Sequence, residues 1–242
     1  PELTLIAFNP PNVREGMTAT LLLTASEPLA GPLDELSSPP TLTWVNDAFT
    51  LPNLSASART IFGWEYKVGI LDIPDGIYSI ATVTLEDLVG NRATITVSNL
   101  DEAQVTKTPD LKVDSEAPMV QMLTLNRGHF SAQEGFNELN LSFSINEAIA
   151  TNTPEEPNPL VTFGTQALTC ELALNEYLCS LVFTGEEPEG LNMIQVQVKD
   201  QAGNYGYASQ PLLVDFSAPE LLSSQVVPES VKLGDAVVLS LT

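Results

Sequence analysis

The sequence predicts an all-β chain built from tandem antiparallel β-sandwiches of about seven strands each. Three observations carry this. Short runs alternate apolar and polar residues with a period of two, as in MIQVQVKD (193–200), where Ile194, Val196 and Val198 alternate with Gln195 and Gln197. No stretch shows a helical period with caps. The chain also repeats itself: Val-Asp-x-x-Ala-Pro stands at 113–118 and again, 101 residues later, at 214–219.

The elements follow in order. PELTLIAF opens the chain and is matched by APMVQMLTL (117–125) and APELLSSQVV (218–227). A polar turn with glycine comes next in each case: REG (14–16), QEG (133–135) and LGD (233–235). The runs TATLLLTASEP (18–28), ELNLSFSINEA (138–148) and AVVLSLT (236–242) follow as strands. GPLDELSSPP (31–40) and NTPEEPNPL (152–160) read as proline-rich loops at matching places. SIATVTLED (79–87) alternates Ala81, Val83 and Leu85 with Thr82 and Thr84 and ends in Asp-x-x-Gly-Asn, as MIQVQVKD does at 200–204. The expected organisation is two complete units, 1–116 and 117–217, and the truncated start of a third, 218–242. A chain that opens without Met and stops inside an apolar run reads as a piece of something longer.

The 242 residues are 43% hydrophobic, enough for a packed core in each unit. Charge is lopsided, with 31 acidic against 9 basic residues and a net of −22. Such a field repels phosphate backbones, and no Lys/Arg cluster interrupts it, so nucleic-acid binding is excluded as an expectation. No run of 18 apolar residues is present, so no membrane insertion is expected in this segment. Divalent cations are what an acidic surface favours.

The two cysteines, Cys170 and Cys179, bracket ELALNEYL. With Leu174-Asn175 at the tip of a hairpin, Cys170 faces Cys179, and directly opposed cysteines can meet disulfide geometry. Closing so short a loop stabilises by roughly 2–3 kcal/mol. Leucine suits a type I′ turn poorly, so a longer loop with the same register is an equal alternative, and two buried thiols are the alternative to the bond. A disulfide points outside the cytosol, to the extracellular space or cell surface.

The string DGIYSIATVTLEDLVGN (75–91), the Ser-Glu-Pro at 26–28 and the Val-Asp-x-x-Ala-Pro junctions resemble the tandem immunoglobulin-like domains of large bacterial surface and adhesin-type proteins. The second unit departs from the pattern, with EEPEGLNM (186–193) in place of Asp-Gly-x-Tyr and Asn-Glu-Ala in place of Ser-Glu-Pro. The resemblance implies immunoglobulin-like β-sandwiches and a non-catalytic spacer role beside neighbouring repeats of the same chain. It also implies, for some members, calcium at the junctions. The alternative is a binding module for a cell-surface glycan or protein.

Counting by twos puts Asp87 and Asp200 in phase with the inward-facing rows that precede them. A carboxylate there needs donors or a cation. In the turn reading it accepts N–H groups of the following residues, while Gly90 or Gly203 supplies a positive φ. In the metal reading, Asp200 faces the first junction, where Asp114, Glu116 and Glu147 converge with it as oxygen ligands for Ca2+. By the same placement Glu27 and Asp87 face whatever precedes residue 1, and Asp215 faces the third unit. No cofactor is required. No nucleophile motif or phosphate loop is present, and the single histidine, His129, has no partner ligand in sequence, so no enzyme is expected. Trp44, Trp64 and Tyr66, in mid-strand, are expected in the core and not on a carbohydrate platform.

Overall fold

In a computed structural model the chain is described over residues 1–30, 39–46 and 49–241. The loop expected at 31–40 lies outside the described residues from 31 to 38.

The first sandwich is built from β1 (Leu3–Asn9), β2 (Asn12–Val13), β3 (Thr18–Ala25), β4 (Thr41–Trp44), β5 (Ser55–Arg59), β6 (Gly63–Gly69), β7 (Gly76–Glu86), β8 (Arg92–Thr96), β9 (Thr106–Thr108) and β10 (Asp110–Val113). One sheet runs β5-β6-β3-β1-β9 and the other β2-β10-β7-β4, with β8 paired to β7. Prolines 10 and 11 have no N–H to give a ladder, and the chain passes between them from one sheet to the other. The core between the sheets includes Ile6, Leu21, Leu23, Val83, Leu85 and Leu111. Trp64 and Tyr66 are buried in it, and the Tyr66 hydroxyl donates to the Pro40 carbonyl at 2.8 Å.

The second sandwich comprises β11 (Val120–Leu125), β12 (His129–Phe130), β13 (Glu138–Ile145), β14 (Leu160–Phe163), β15 (Gln166–Ala167), β16 (Thr169–Ala173), β17 (Glu176–Val182), β18 (Gly190–Lys199) and β19 (Tyr205–Val214). Its sheets run β11-β13-β17-β16 and β12-β19-β18-β14-β15. A separate core holds Leu139, Leu141, Phe143, Ile194, Val196 and Val198. Both sandwiches thus have four principal strands on one sheet (β1, β3, β6 and β5; β11, β13, β17 and β16), with β4, β7 and the β8/β10 path, or β14, β18 and β19, on the other. That is the order of an immunoglobulin-like fold.

The tyrosine corner of that fold is present as well. Tyr78, near the start of β7, donates its hydroxyl to the carbonyl of Pro74, four residues back, at 2.7 Å. The second sandwich has Asn192 at this place, and its Nδ2 donates to Pro188, again four residues back, at 2.8 Å. The departure in EEPEGLNM therefore replaces the side chain and keeps the bond.

Two local findings refine the sequence reading. Ala81 does not belong to the inward row: the register between β4 and β7 shifts there, so Ile80 and then Val83 and Leu85 point inward. A bulge at Ala81 flips the alternation. The β16–β17 hairpin closes on two residues, with Leu174 at φ 50° and Asn175 at φ 70°, as a type I′ turn requires. Cys170 pairs with Cys179 in that register, and the two are disulfide-bonded.

The last strand differs between sandwiches. β19 runs unbroken beside β18. In the first sandwich the same path is split into β8 and β10. Between them lie a short 3₁₀ turn (Val97–Asn99) and β9, which joins the opposite sheet in parallel with β1. Beyond the second sandwich, β20 (Ser224–Val227) pairs antiparallel with β21 (Val238–Leu241), their side chains exposed. Among the described residues no helix is long and apolar enough to cross a membrane.

Candidate metal centre

The chain passes from β10 to β11 through Asp114-Ser115-Glu116-Ala117-Pro118, and polar groups from both sandwiches hold this segment. On the first side, the Asp114 N–H donates to Val13 at 2.9 Å and the Ser115 N–H to Asp75 Oδ1 at 3.0 Å, while the Glu15 N–H donates to Ser115 Oγ at 3.3 Å. On the second side, the Met119 N–H donates to Asn146 Oδ1 at 2.7 Å. Buried Pro118 lies against Gly206 of β19, where a Cβ would stand 1.8 Å from the Pro118 carbonyl oxygen. Only glycine admits the linker there.

The Asp-x-x-Gly-Asn turn closes β18 onto β19 beside this linker. Asp200 is buried. Its Oδ1 accepts the Asn204 N–H at 2.8 Å, and its Oδ2 accepts Asn204 Nδ2 at 2.7 Å. Gly203 sits at φ +93°, and a Cβ on it would lie 3.6 Å from Nε of Arg14 in the first sandwich. The Asn204 amide also donates to the main-chain carbonyl of Asp114 at 2.8 Å. One asparagine thus fastens the turn and ties it to the linker.

Asp114, Glu147 and Asp200 each place a carboxylate oxygen within 4.8 Å of the others. Three elements deliver them: the end of β10, the segment after β13 and the end of β18. The cost of this convergence shows on Glu147, whose carboxyl is pushed up from its usual 4.5 by burial first and then by the charges of Asp114 and Asp200. Lys112 opposes them. Its ammonium lies 2.6 Å from Asp114 Oδ2, and that hydrogen bond holds the lysine above its usual range. One lysine against three carboxylates leaves the cluster negative.

The other candidates are placed as follows. Glu116 is exposed and outside the three-oxygen cluster; its N–H caps Asp114 Oδ1 at 3.2 Å, and its charge reaches Glu147. Asp87 and Glu27 occupy the equivalent pole of the first sandwich. Asp87 accepts the Val89 and Asn91 N–H groups at 2.9 Å each and Asn91 Nδ2 at 2.7 Å. The Asn91 side chain foremost holds it below the usual carboxylate range. Glu27 lies 2.6 Å from the Pro1 amine. Asp215 is exposed and accepts the Ser217 N–H at 3.0 Å. His129 is exposed on β12.

Sequence reasoning missed several members of this junction. Lys112 is legible in hindsight, because residues i and i+2 of a strand share a face and Lys112 precedes Asp114 by two. The linker tethers were hidden by substitution. Asp75 captures the N–H after Asp114, and Glu189 captures the N–H after Asp215 at 2.7 Å, both from the residue before a glycine at the start of the penultimate strand. Ser26 Oγ accepts the Glu2 N–H at 3.1 Å, as Asn146 accepts that of Met119. In each pair the residue type changes and the hydrogen bond remains.

No family model matches the chain, and no curated protein matches it. Among solved structures, it is similar to a titin I-band fragment (12% identity, TM-score 0.44, covering 88% of this chain and 63% of that one). It is similar also to a bacterial ice-binding adhesin (16%, 0.40, 88% and 65%). A third likeness is to a Ca2+-stabilized adhesin of an Antarctic bacterium (17%, 0.41, 93% and 52%). The chain spans less than two thirds of the length of each of these structures.

Proposed function

We propose that this chain is a non-catalytic spacer segment of an extracellular or cell-surface protein of the adhesin type. In this reading its units, 1–116, 117–217 and the start of another at 218–242, stack end to end, and a calcium ion stiffens the first junction. The observation that carries it is the meeting of Asp114, Glu147 and Asp200 where the linker enters the second sandwich. Oxygens bound to one Ca2+ at about 2.3–2.6 Å lie no more than roughly 5 Å apart, so these three suit a shared ion. All are hard oxygen donors, with no histidine or thiolate among them, which favours calcium over zinc. The remaining ligands would be water or carbonyl oxygens. A bound ion would neutralise the charge that Lys112 only partly offsets, and it would join the linker to two elements of the second sandwich.

Two features support the spacer role. The linker is hydrogen-bonded on both sides, so the junction is built and not merely spanned. Asp200 marks the pole where the chain enters the second sandwich, and Glu189, which holds the Phe216 N–H, marks where it leaves. The disulfide supports an oxidising compartment. Isothermal titration of the whole chain with calcium tests the metal: one site is expected, abolished in Asp200→Asn and Glu147→Gln. Equal heats from wild type and both variants would exclude this site.

A further inference from the structure

A second surface, separate from the junction, has a different chemistry. On the outer face of β14, β18 and β19 an open groove of about 430 Å³ is lined only by uncharged residues, among them Thr162, Gln195, Gln197, Tyr207 and Ser209. In a chain of net charge −22, this groove offers a ligand amides, hydroxyls and an exposed ring with no carboxylate among them. The register explains it: Gln195 pairs with Ser209 and Gln197 with Tyr207, so amides, hydroxyl and ring share one face. Tyr205 extends the row. Its ring lies 6.5 Å from that of Tyr207, with 20° between the planes. Tyr207 is 70% exposed, in contrast to the buried Trp64 and Tyr66. The charges at the end of the groove are spent on each other: Lys199 lies over the Tyr205 ring and pairs with Glu156 at 2.6 Å.

We propose that this face binds a neutral oligosaccharide. An aromatic face open to water offers a surface for the C–H side of a sugar ring. Each glutamine amide supplies two donors and an acceptor, and each hydroxyl supplies both, which matches the mixed demands of sugar hydroxyls. The lack of charge fits a neutral ligand and gives an anionic one nothing to offset the field of the protein. A preformed groove of this volume lies within the range of small-ligand sites, and its openness to solvent fits a polymer passing across it and not an enclosed metabolite. The tyrosines hold few rotatable bonds, so little freedom is lost when they are covered.

The test is an NMR titration of the ¹⁵N-labelled chain with neutral gluco-, xylo- and manno-oligosaccharides, and with an oligouronate of matched length. Expected are shifts at the Gln195 and Gln197 side-chain amides and at Tyr207 with at least one neutral sugar, and none with the uronate. Tyr207→Ala should weaken that binding about tenfold, the scale of one aromatic stacking contact, while Tyr207→Phe retains it. Both substitutions are on the surface, and unchanged melting would show that the fold is intact. The proposal is overturned by an absence of shifts with every neutral sugar, by shifts confined to the uronate, or by binding that Tyr207→Ala leaves unaltered.

Discussion

The Asn204 side chain donates to the main-chain carbonyl of Asp114 at 2.8 Å, joining the last turn of the second sandwich to the last residue of the strand path that leaves the first. The same amide holds Asp200 Oδ2 at 2.7 Å. Turn chemistry and junction chemistry, which the sequence presented as rival explanations of Asp-x-x-Gly-Asn, meet in one residue.

Asn204→Ala and Asn91→Ala should therefore differ. Each removes the bond to its own turn aspartate; for buried Asp200 that charge-assisted contact is worth about 1.5–3 kcal/mol. Only Asn204→Ala also frees the linker. Chemical denaturation should show both sandwiches weakened by their own variant. Hydrogen exchange at Ser115 and Met119 should rise in Asn204→Ala alone; equal exchange in both variants would deny Asn204 its junction role.

Glu147 sets a pH dependence with a definite sign. Its carboxyl is raised in the folded protein by burial and by Asp114 and Asp200, so the fold binds its proton more tightly than the unfolded chain does. That contribution is fully present below the usual 4.5 and is lost as pH rises through the elevated value. In chelator, the melting temperature of the second sandwich should fall across this window, and Glu147→Gln should flatten the fall. A wild-type profile that Glu147→Gln leaves unchanged would contradict the charge crowding.

Lys112 competes with any cation for Asp114, to which it is already bonded. Half-exposed pairs of this kind are worth about 0.2–1 kcal/mol. Lys112→Met should lower cation-free stability slightly and tighten calcium binding about two- to fivefold, read by calorimetry. Weaker calcium binding in the variant would mean that the lysine supports the site.

Reduction of the Cys170–Cys179 disulfide opens a short loop within the β16–β17 hairpin. The expected cost is about 2–3 kcal/mol, confined to the second sandwich. Scanning calorimetry with and without a phosphine reductant should move one transition and leave the other in place.

Much of this was legible in the residues. Period-two runs and the repeated Val-Asp-x-x-Ala-Pro predicted the fold class, and cross-strand counting predicted that Cys170 faces Cys179. Alternation failed at Ala81 because a bulge adds a residue without leaving a mark in the polarity pattern. The tethers escaped notice for a different reason. Asp75 and Glu189, Ser26 and Asn146, and Tyr78 and Asn192 are unlike as letters, yet each pair delivers one polar atom to the same backbone position. The junction role of Asn204 leaves no mark in the sequence, since nothing there tells which side of a turn another sandwich will approach. The aromatic row at Tyr205 and Tyr207 emerges only once the register has put both on the outer face.

The most direct test of the calcium-stiffened junction is the melting of the whole chain with calcium and with a chelator, at matched ionic strength. With a dissociation constant near 10⁻⁴ M, as in many extracellular modules, about 10 mM calcium should stabilise the second sandwich by about 2.7 kcal/mol. That is a rise of roughly 13 °C for a sandwich of about 100 residues. Asp200→Asn should erase the rise. An identical melt in calcium and chelator would contradict the metal centre and leave the junction held by Asn204 and the linker hydrogen bonds alone.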